Sequence, residues 1–202
     1  MKQYSIFYTW QSDCPEARKT LSAALKKAAS LLVKDEIDLV IDQDTRGRIG
    51  VRNINTEIID KIEKADLMVV DLTPATTILP IDSKKSLPRH MPNSNAMFEY
   101  GYASKCLGES RIILLAHLNE RQHIEFMPFD VNHYSITPFP VCDDSVGGKE
   151  TLSHFARSLS QWIKNIIEDI ENNVVGQRDY DCDVSLNDLS HNGEIKPKYQ
   201  TR

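Results

Sequence analysis

The stretch DLMVVDL, residues 66–72, indicates the fold class of this 202-residue chain. It is nearly continuous in apolar residues, with Asp71 near its end, and strands of a parallel sheet are apolar throughout because helices cover both of their faces. Other short apolar runs predict four more strands, at residues 4–10, 37–41, 111–117 and 133–136. The run at 66–72 has the composition of a central strand.

Amphipathic stretches alternate with these strands. Asp13 and Glu16 have the spacing of a capping box around Pro15, and apolar residues at helical spacing follow up to Leu32. Further helices are predicted at 54–65, at 96–106 between cap residues 93–95 and Gly108, and after Gly147–Gly148, where Trp162 belongs to a core stripe. This order predicts one α/β domain, with a parallel sheet of about five strands and helices on both faces.

Two segments fall outside this pattern. Residues 73–92 contain four prolines and no clear period, which predicts a long functional loop such as a lid. Residues 172–202 have few apolar side chains and predict a polar, mobile tail after a domain spanning 1–171.

Composition narrows the function classes. The chain has 29 acidic residues against 24 Lys plus Arg, a net charge of -5, which argues against nucleic acid as a partner. No apolar run approaches the roughly 18 residues of a membrane span, so no membrane association is expected. The four cysteines lie far apart and predict neither a zinc site nor a disulfide framework, and the N-terminus does not resemble a signal peptide. A cytoplasmic location is therefore expected.

Polar and aromatic residues cluster where the predicted strands end. Ligands of an open parallel sheet bind beyond the carboxyl ends of its strands. The residues delivered there are Tyr8, Trp10, Gln11, Ser12 and Asp13 after strand one; Asp42, Asp44, Thr45, Arg46 and Gly47 after strand two; Asp71 and Thr73 after strand three; and Asn93, Asn95 and Glu99 at the third helix. Aromatic rings, an arginine and carboxylates on one edge would suit a nucleotide. GxGxxG and GxxxxGK[ST] motifs are absent, so neither a dinucleotide oxidoreductase nor a P-loop enzyme is supported.

Several phrases carry a family resemblance. They are FYTWQSD (7–13), DQDTRG (42–47), ADLMVVDLT (65–73), PNSNAMFEYGYA (92–103), and RIILL followed by MPFD. Together they resemble a bacterial Toll/interleukin-1 receptor (TIR)-like nucleotide-binding family, which is similar in turn to the nucleoside 2-deoxyribosyltransferases. The resemblance spans residues 4–136. Ser94, Ala96 and Tyr100 depart from the family's usual string, whereas Asn95, Glu99 and Gly101 keep it.

The resemblance implies a flavodoxin-like fold and a function. Glu99 would match the carboxylate that both superfamilies use at the anomeric carbon of a ribosyl group. The loop at 42–50 would gate the pocket and mediate self-association. The implied activity is cleavage of the nicotinamide–ribose bond of NAD, as substrate and without a separate cofactor, in a bacterial antiviral-defence or stress response. The alternatives are a non-catalytic nucleotide sensor or adaptor that oligomerises, and a deoxyribosyltransferase-like enzyme with Glu99 as nucleophile.

A separate chemical argument also favours a catalytic role for Glu99. Breaking an N-glycosidic bond develops positive charge on the ribose, and a carboxylate in a partly dry pocket stabilises that charge. In this hypothesis Asn95 orients Glu99 or a ribose hydroxyl, Tyr8 and Trp10 stack on a ring, and Arg46 faces phosphate.

Structural alternatives remain open for these residues. Glu99 could serve the helix dipole, and Trp10 could be a core or rim aromatic. Asp71 could brace its loop, and Arg46 could pair with a nearby aspartate on the surface.

Overall fold

The apolar run at 66–72 forms the central strand of the sheet in a computed structural model, which describes residues 1–42, 54–81, 87–119 and 122–172. The strands are β1 (Lys2–Thr9), β2 (Ile37–Asp42), β3 (Leu67–Asp71), β4 (Pro74–Ile78), β5 (Arg89–Pro92), β6 (Ile112–Ala116) and β7 (Ile136–Pro138). The helices are α1 (Pro15–Leu32), α2 (Ile54–Lys64), α3 (Ser94–Leu107), α4 (Phe129–Asn132) and α5 (Val146–Glu171). Every residue of β3 is buried, as its composition predicts.

The main sheet is parallel and has the order β2-β1-β3-β6-β7 within the described residues. This is a flavodoxin-like open sheet, and the predicted α/β class is confirmed. Ile6 and Val69 face α1 and α5, whereas Phe7 and Val70 face α2 and α3, because successive side chains of a strand point to opposite sides. Trp162 of α5 packs against the first of these two cores, in line with the predicted core stripe.

The predicted capping box at Asp13 and Glu16 is wrong. The helix begins one residue later than the box requires, with Pro15 at its first turn and Cys14 as a cap residue that makes no side-chain capping bond. The side chain of Gln11 takes over this role, since its Oε1 accepts hydrogen bonds from the backbone N–H groups of Asp13 (2.7 Å) and Cys14 (3.2 Å).

The prediction of an irregular segment at 73–92 is also wrong. β4 and β5 form an antiparallel pair separate from the main sheet. The prolines that obscured it stand at the first position of β4 and the last position of β5, where a two-stranded ribbon tolerates a residue without an N–H donor. Thr76, Thr77 and Ile78 supply the β-branched residues that favour an extended chain.

The last strand lies further along the chain than predicted. His133 adopts a helical backbone conformation at the end of α4, and β7 begins at Ile136. The long helix α5 begins at Val146, before the two glycines rather than after them, with Ser145 accepting a hydrogen bond from the Gly148 N–H. The predicted tail lies outside the described residues beyond Asn172.

Candidate functional site

A crevice opens at the topological switch point of the sheet. The chain passes from β1 outward to β2 and then returns to β3 on the other side of β1. Connections on the two sides of β1 therefore diverge to opposite faces, which leaves a gap beyond the carboxyl end of β1. The residues that follow β1 line this gap, which we call the switch-point cavity.

The switch-point cavity has a volume of about 230 Å³. Its walls come from β1 and the loop after it, from α2, and from the start of α3. The lining residues are Phe7, Tyr8, Thr9, Trp10, Gln11, Ser12, Ile58, Lys61, Asn93, Asn95 and Glu99. Seven of the residues that the sequence analysis places at this edge therefore meet here: Tyr8, Trp10, Gln11, Ser12, Asn93, Asn95 and Glu99.

Glu99 is the buried carboxylate of this cavity. It lies on α3 with only 9% of its surface exposed. Burial raises the pKa of Glu99, and a hydrogen bond with the side chain of Thr9 opposes this shift in part. Thr9 is itself buried at the end of β1. A strand and a helix that are distant in sequence thus hold the carboxylate at the cavity wall.

The beginning of α3 is fixed to the loop after β1. Asn93 caps the helix, with its Oδ1 accepting a hydrogen bond from the Asn95 N–H at 2.9 Å. Its Nδ2 donates to Asp13 Oδ2 at 2.8 Å. Asn95 stands one helical turn before Glu99, so both side chains lie on the same side of α3. The predicted cap is confirmed, and the role of Asn95 in orienting Glu99 or a ribose hydroxyl stays a prediction.

Lys61 is a site residue that the sequence analysis missed. Its Nζ lies 2.7 Å from Asp42 Oδ1, and its side chain is 15% exposed. Charged residues on an amphipathic helix usually belong to the solvated face, so Lys61 gave no strong signal. The available clue was its position at the border of the apolar stripe of α2. It lies three residues after Ile58 and directly before buried Ile62.

A larger cavity, of about 400 Å³, lies between α2 and the end of β2. It shares Phe7 and Lys61 with the switch-point cavity, and Asp42 lines it where the described part of the chain stops. Glu99 is not among its lining residues. Of these two cavities, Glu99 lines the smaller one.

Trp10 already has a partner on one ring face. The Arg18 guanidinium carbon lies 3.3 Å from the ring centroid of Trp10, a cation–π arrangement. Trp10 is partly buried against the core under α1 and also lines the cavity. A ligand ring could therefore stack only on the remaining face or edge of this indole.

Tyr8 and Asp71 face away from Glu99. The Tyr8 side chain belongs to the core beneath α1 and is fully buried. Asp71 is two residues beyond Val69 on the same face of β3, and it is also fully buried. Its Oδ1 accepts a hydrogen bond from the Thr73 N–H at 3.0 Å, so it braces the loop after β3. Burial raises the pKa of Asp71, as it does for Glu99.

The remaining predicted residues, Asp44, Arg46 and Gly47, lie outside the described residues, as does the rest of the 42–50 loop beyond Asp42. Ser12 lines the cavity and is exposed. Among the described residues, no group of three or more His, Cys, Asp or Glu side chains is arranged to hold a metal ion. None of the helices in this part of the chain has the length and apolarity that crossing a membrane requires.

The fold and the crevice together define an α/β protein with a flavodoxin-like sheet and a cavity at its switch point that is lined by a buried glutamate. No protein-family model and no curated protein sequence matches the chain. A similar solved structure is that of RosB with bound intermediate OHC-RP (8-demethyl-8-formylriboflavin-5'-phosphate), at 14% identity and a TM-score of 0.34 over 99% of this chain and 98% of that one.

Proposed function

We propose that this chain is a TIR-like enzyme that hydrolyses the nicotinamide–ribose bond of NAD. The observation that carries the proposal is Glu99, a buried carboxylate at the wall of a cavity at the switch point of a flavodoxin-like sheet. The resemblance of residues 92–103 to the family string supports the same residue independently.

The chemistry requires one well-placed negative charge. The bond between C1′ and the pyridinium nitrogen breaks, and its electron pair leaves with nicotinamide, which departs neutral. The ribose becomes an oxocarbenium-like cation, which the Glu99 carboxylate stabilises from a partly dry site. A water then adds to C1′ and releases one proton. The products are nicotinamide, ADP-ribose and a proton.

Several neighbours would assist this reaction. Asn95, on the same side of α3 as Glu99, would hydrogen-bond a ribose hydroxyl or the carboxylate. Lys61, at the border of the cavity, would attract a phosphate, the role that the sequence hypothesis gives to Arg46. Trp10, which lines the cavity, would contact a base with its indole ring. The 42–50 loop would mediate self-association, and a cytoplasmic defence role would follow from the family.

The size of the cavity favours a second candidate. Its volume of about 230 Å³ lies below the roughly 300–1,000 Å³ typical of sites for drug-sized ligands. A nucleoside or mononucleotide would fit such a space better than a whole dinucleotide. In that case Glu99 would cleave or transfer the sugar of a nucleoside, in the manner of the deoxyribosyltransferases.

The test is nicotinamide release from NAD by the purified full chain at low and high protein concentration. Glu99→Gln keeps the side-chain shape and removes the charge, and Glu150→Gln makes the same change at an exposed position of α5. We expect turnover in wild type and Glu150→Gln that rises with protein concentration, and none in Glu99→Gln.

Other outcomes separate the alternatives. Base release from nucleosides, with a glycosyl adduct trapped on Glu99, would favour the second candidate. Binding of NAD without turnover at any concentration would contradict the enzyme and leave a nucleotide sensor.

A further inference from the structure

The two ends of the Gln11 side-chain amide differ in their hydrogen bonding. Its Oε1 accepts from the backbone N–H groups of Asp13 and Cys14. Its Nε2 is buried and has no hydrogen-bond partner among the residues that the structure describes. The residue as a whole is 2% exposed, so bulk water does not supply the missing acceptor.

The two accepted hydrogen bonds fix which end of the amide is which. Backbone N–H groups can donate only to the oxygen, so Oε1 must face the start of α1 and Nε2 must be the free end. A flipped amide would leave two N–H donors facing Nε2. The donor is therefore held in place by the same contacts that begin the helix.

Gln11 also lies next to the carboxylate site. It lines the switch-point cavity together with Asn95 and Glu99. It follows Thr9, the partner of Glu99, by two residues, a reach of at most about 7 Å along the backbone. A sugar held with its anomeric carbon at Glu99 would have its nearest substituents within range of Gln11.

We infer that Gln11 is a specificity residue whose Nε2 donates a hydrogen bond to a neutral oxygen of the ligand next to the scissile bond. The inference rests on the proposed function. Two ligand groups offer this chemistry, the 2′-hydroxyl of the ribose and the carbonyl of the carboxamide on the pyridine ring. A buried donor that is satisfied only when such an oxygen arrives would reject ligands that lack it.

The experiment uses two substitutions with different effects on α1. Gln11→Glu keeps an oxygen for the N–H groups of Asp13 and Cys14 but removes the donor. Gln11→Met removes both the acceptor oxygen and the donor. The difference between the two variants therefore measures the effect of losing the hydrogen bonds at the start of α1. Thermal unfolding should show a lower Tm for Gln11→Met than for Gln11→Glu.

The ligands are NAD, an analogue without the 2′-hydroxyl on the nicotinamide ribose, and an analogue with pyridine in place of nicotinamide. All three have the same charge, so the charge added by Gln11→Glu cancels when their affinities are compared. We expect wild type to favour NAD about tenfold over one analogue, and both Gln11 variants to favour it less than about twofold. The analogue that wild type binds less tightly shows whether the 2′-hydroxyl or the carboxamide carbonyl accepts the hydrogen bond from Nε2.

The outcomes separate this inference from the proposed function. Affinities come from calorimetry, in the Glu99→Gln background if wild type consumes NAD. Discrimination that persists in Gln11→Glu, or is lost only in Gln11→Met, would overturn the role of Nε2 while leaving the hydrolase intact. Binding and discrimination without nicotinamide release would overturn the hydrolase and leave Gln11 as the specificity residue. No binding of NAD by any form would overturn both.

Discussion

In the described part of the chain, each face of the sheet has one buried carboxylate near the carboxyl ends of the strands. Glu99 lies on the α2/α3 face and Asp71 on the α1/α5 face, and burial raises the pKa of both. They differ in access: Glu99 borders a cavity, whereas Asp71 is fully buried and braces the loop after β3. A perturbed pKa therefore does not by itself mark a catalytic group; an open space beside the carboxylate is also needed.

The largest expected effect tests this contrast directly. Glu99→Gln should lower nicotinamide release by about 10²–10⁴-fold, because it removes the charge that meets the ribosyl cation. Asp71→Asn is the equivalent change on the α1/α5 face, where the carboxylate borders no cavity, and it should leave kcat/KM within a few-fold of wild type. Steady-state kinetics of the two variants make the comparison. A similar loss in both would mean that Asp71 shapes the site through its loop.

The next effect concerns the packing of the two faces. Leu21 of α1 is fully buried on the α1/α5 face, so Leu21→Ala should lower the free energy of unfolding by about 2–5 kcal/mol. Ile58 is partly buried at the cavity, and Ile58→Ala should cost less because its surroundings are already open. Urea unfolding measures both. Equal losses would contradict the idea that the cavity face is the looser one.

A smaller effect is expected at Lys61. Lys61→Met should raise the KM for NAD about tenfold, since a charged hydrogen bond to phosphate would be lost. The matched control is Lys64→Met, one turn on and exposed. The Lys61 effect should shrink as salt concentration rises. An equal change in both variants would point to general attraction rather than a phosphate contact.

The smallest expected effect is on the pH dependence of thermal stability. Because the pKa of Glu99 is raised in the folded protein, the folded state binds its proton more tightly than the unfolded state. Wild-type stability therefore falls as pH rises from the ordinary glutamate value through the raised one. Glu99→Gln does not titrate, so its Tm should exceed that of wild type above this interval, and the gap should narrow as the pH falls through it. A gap that is the same at every pH would show that the charge of Glu99 is not its cause.

Much of the fold was predictable because its signals are local. The apolar run of β3 and the cap at Asn93 each depend on neighbouring residues only. The β4–β5 pair was missed because its prolines suggest a loop, although they occupy strand ends. The start of α1 was misassigned because Gln11, from outside the helix, binds the N–H groups that a capping box would have used.

The site was predictable only in part, because it depends on which face of the sheet each side chain lies on. Strand alternation separates Tyr8 from Thr9, but the sequence does not say which face carries the cavity. Lys61 was missed because its pairing with Asp42 joins a helix to a strand end. The positions of α2 and α3 over β1 decide both matters, and these positions result from long-range packing.

The hydrogen bond between Asn93 and Asp13 joins residues 80 positions apart in the chain. The cavity that it borders is made of β1, α2 and α3, so it has no local precursor. Elements such as α1 can form from nearby contacts, but this cavity exists only after β3 has paired with β1 and α3 has docked. The cavity is therefore absent from any state of the chain in which α3 has not docked, and a nascent chain cannot place Glu99 beside Thr9 before α3 has been synthesised.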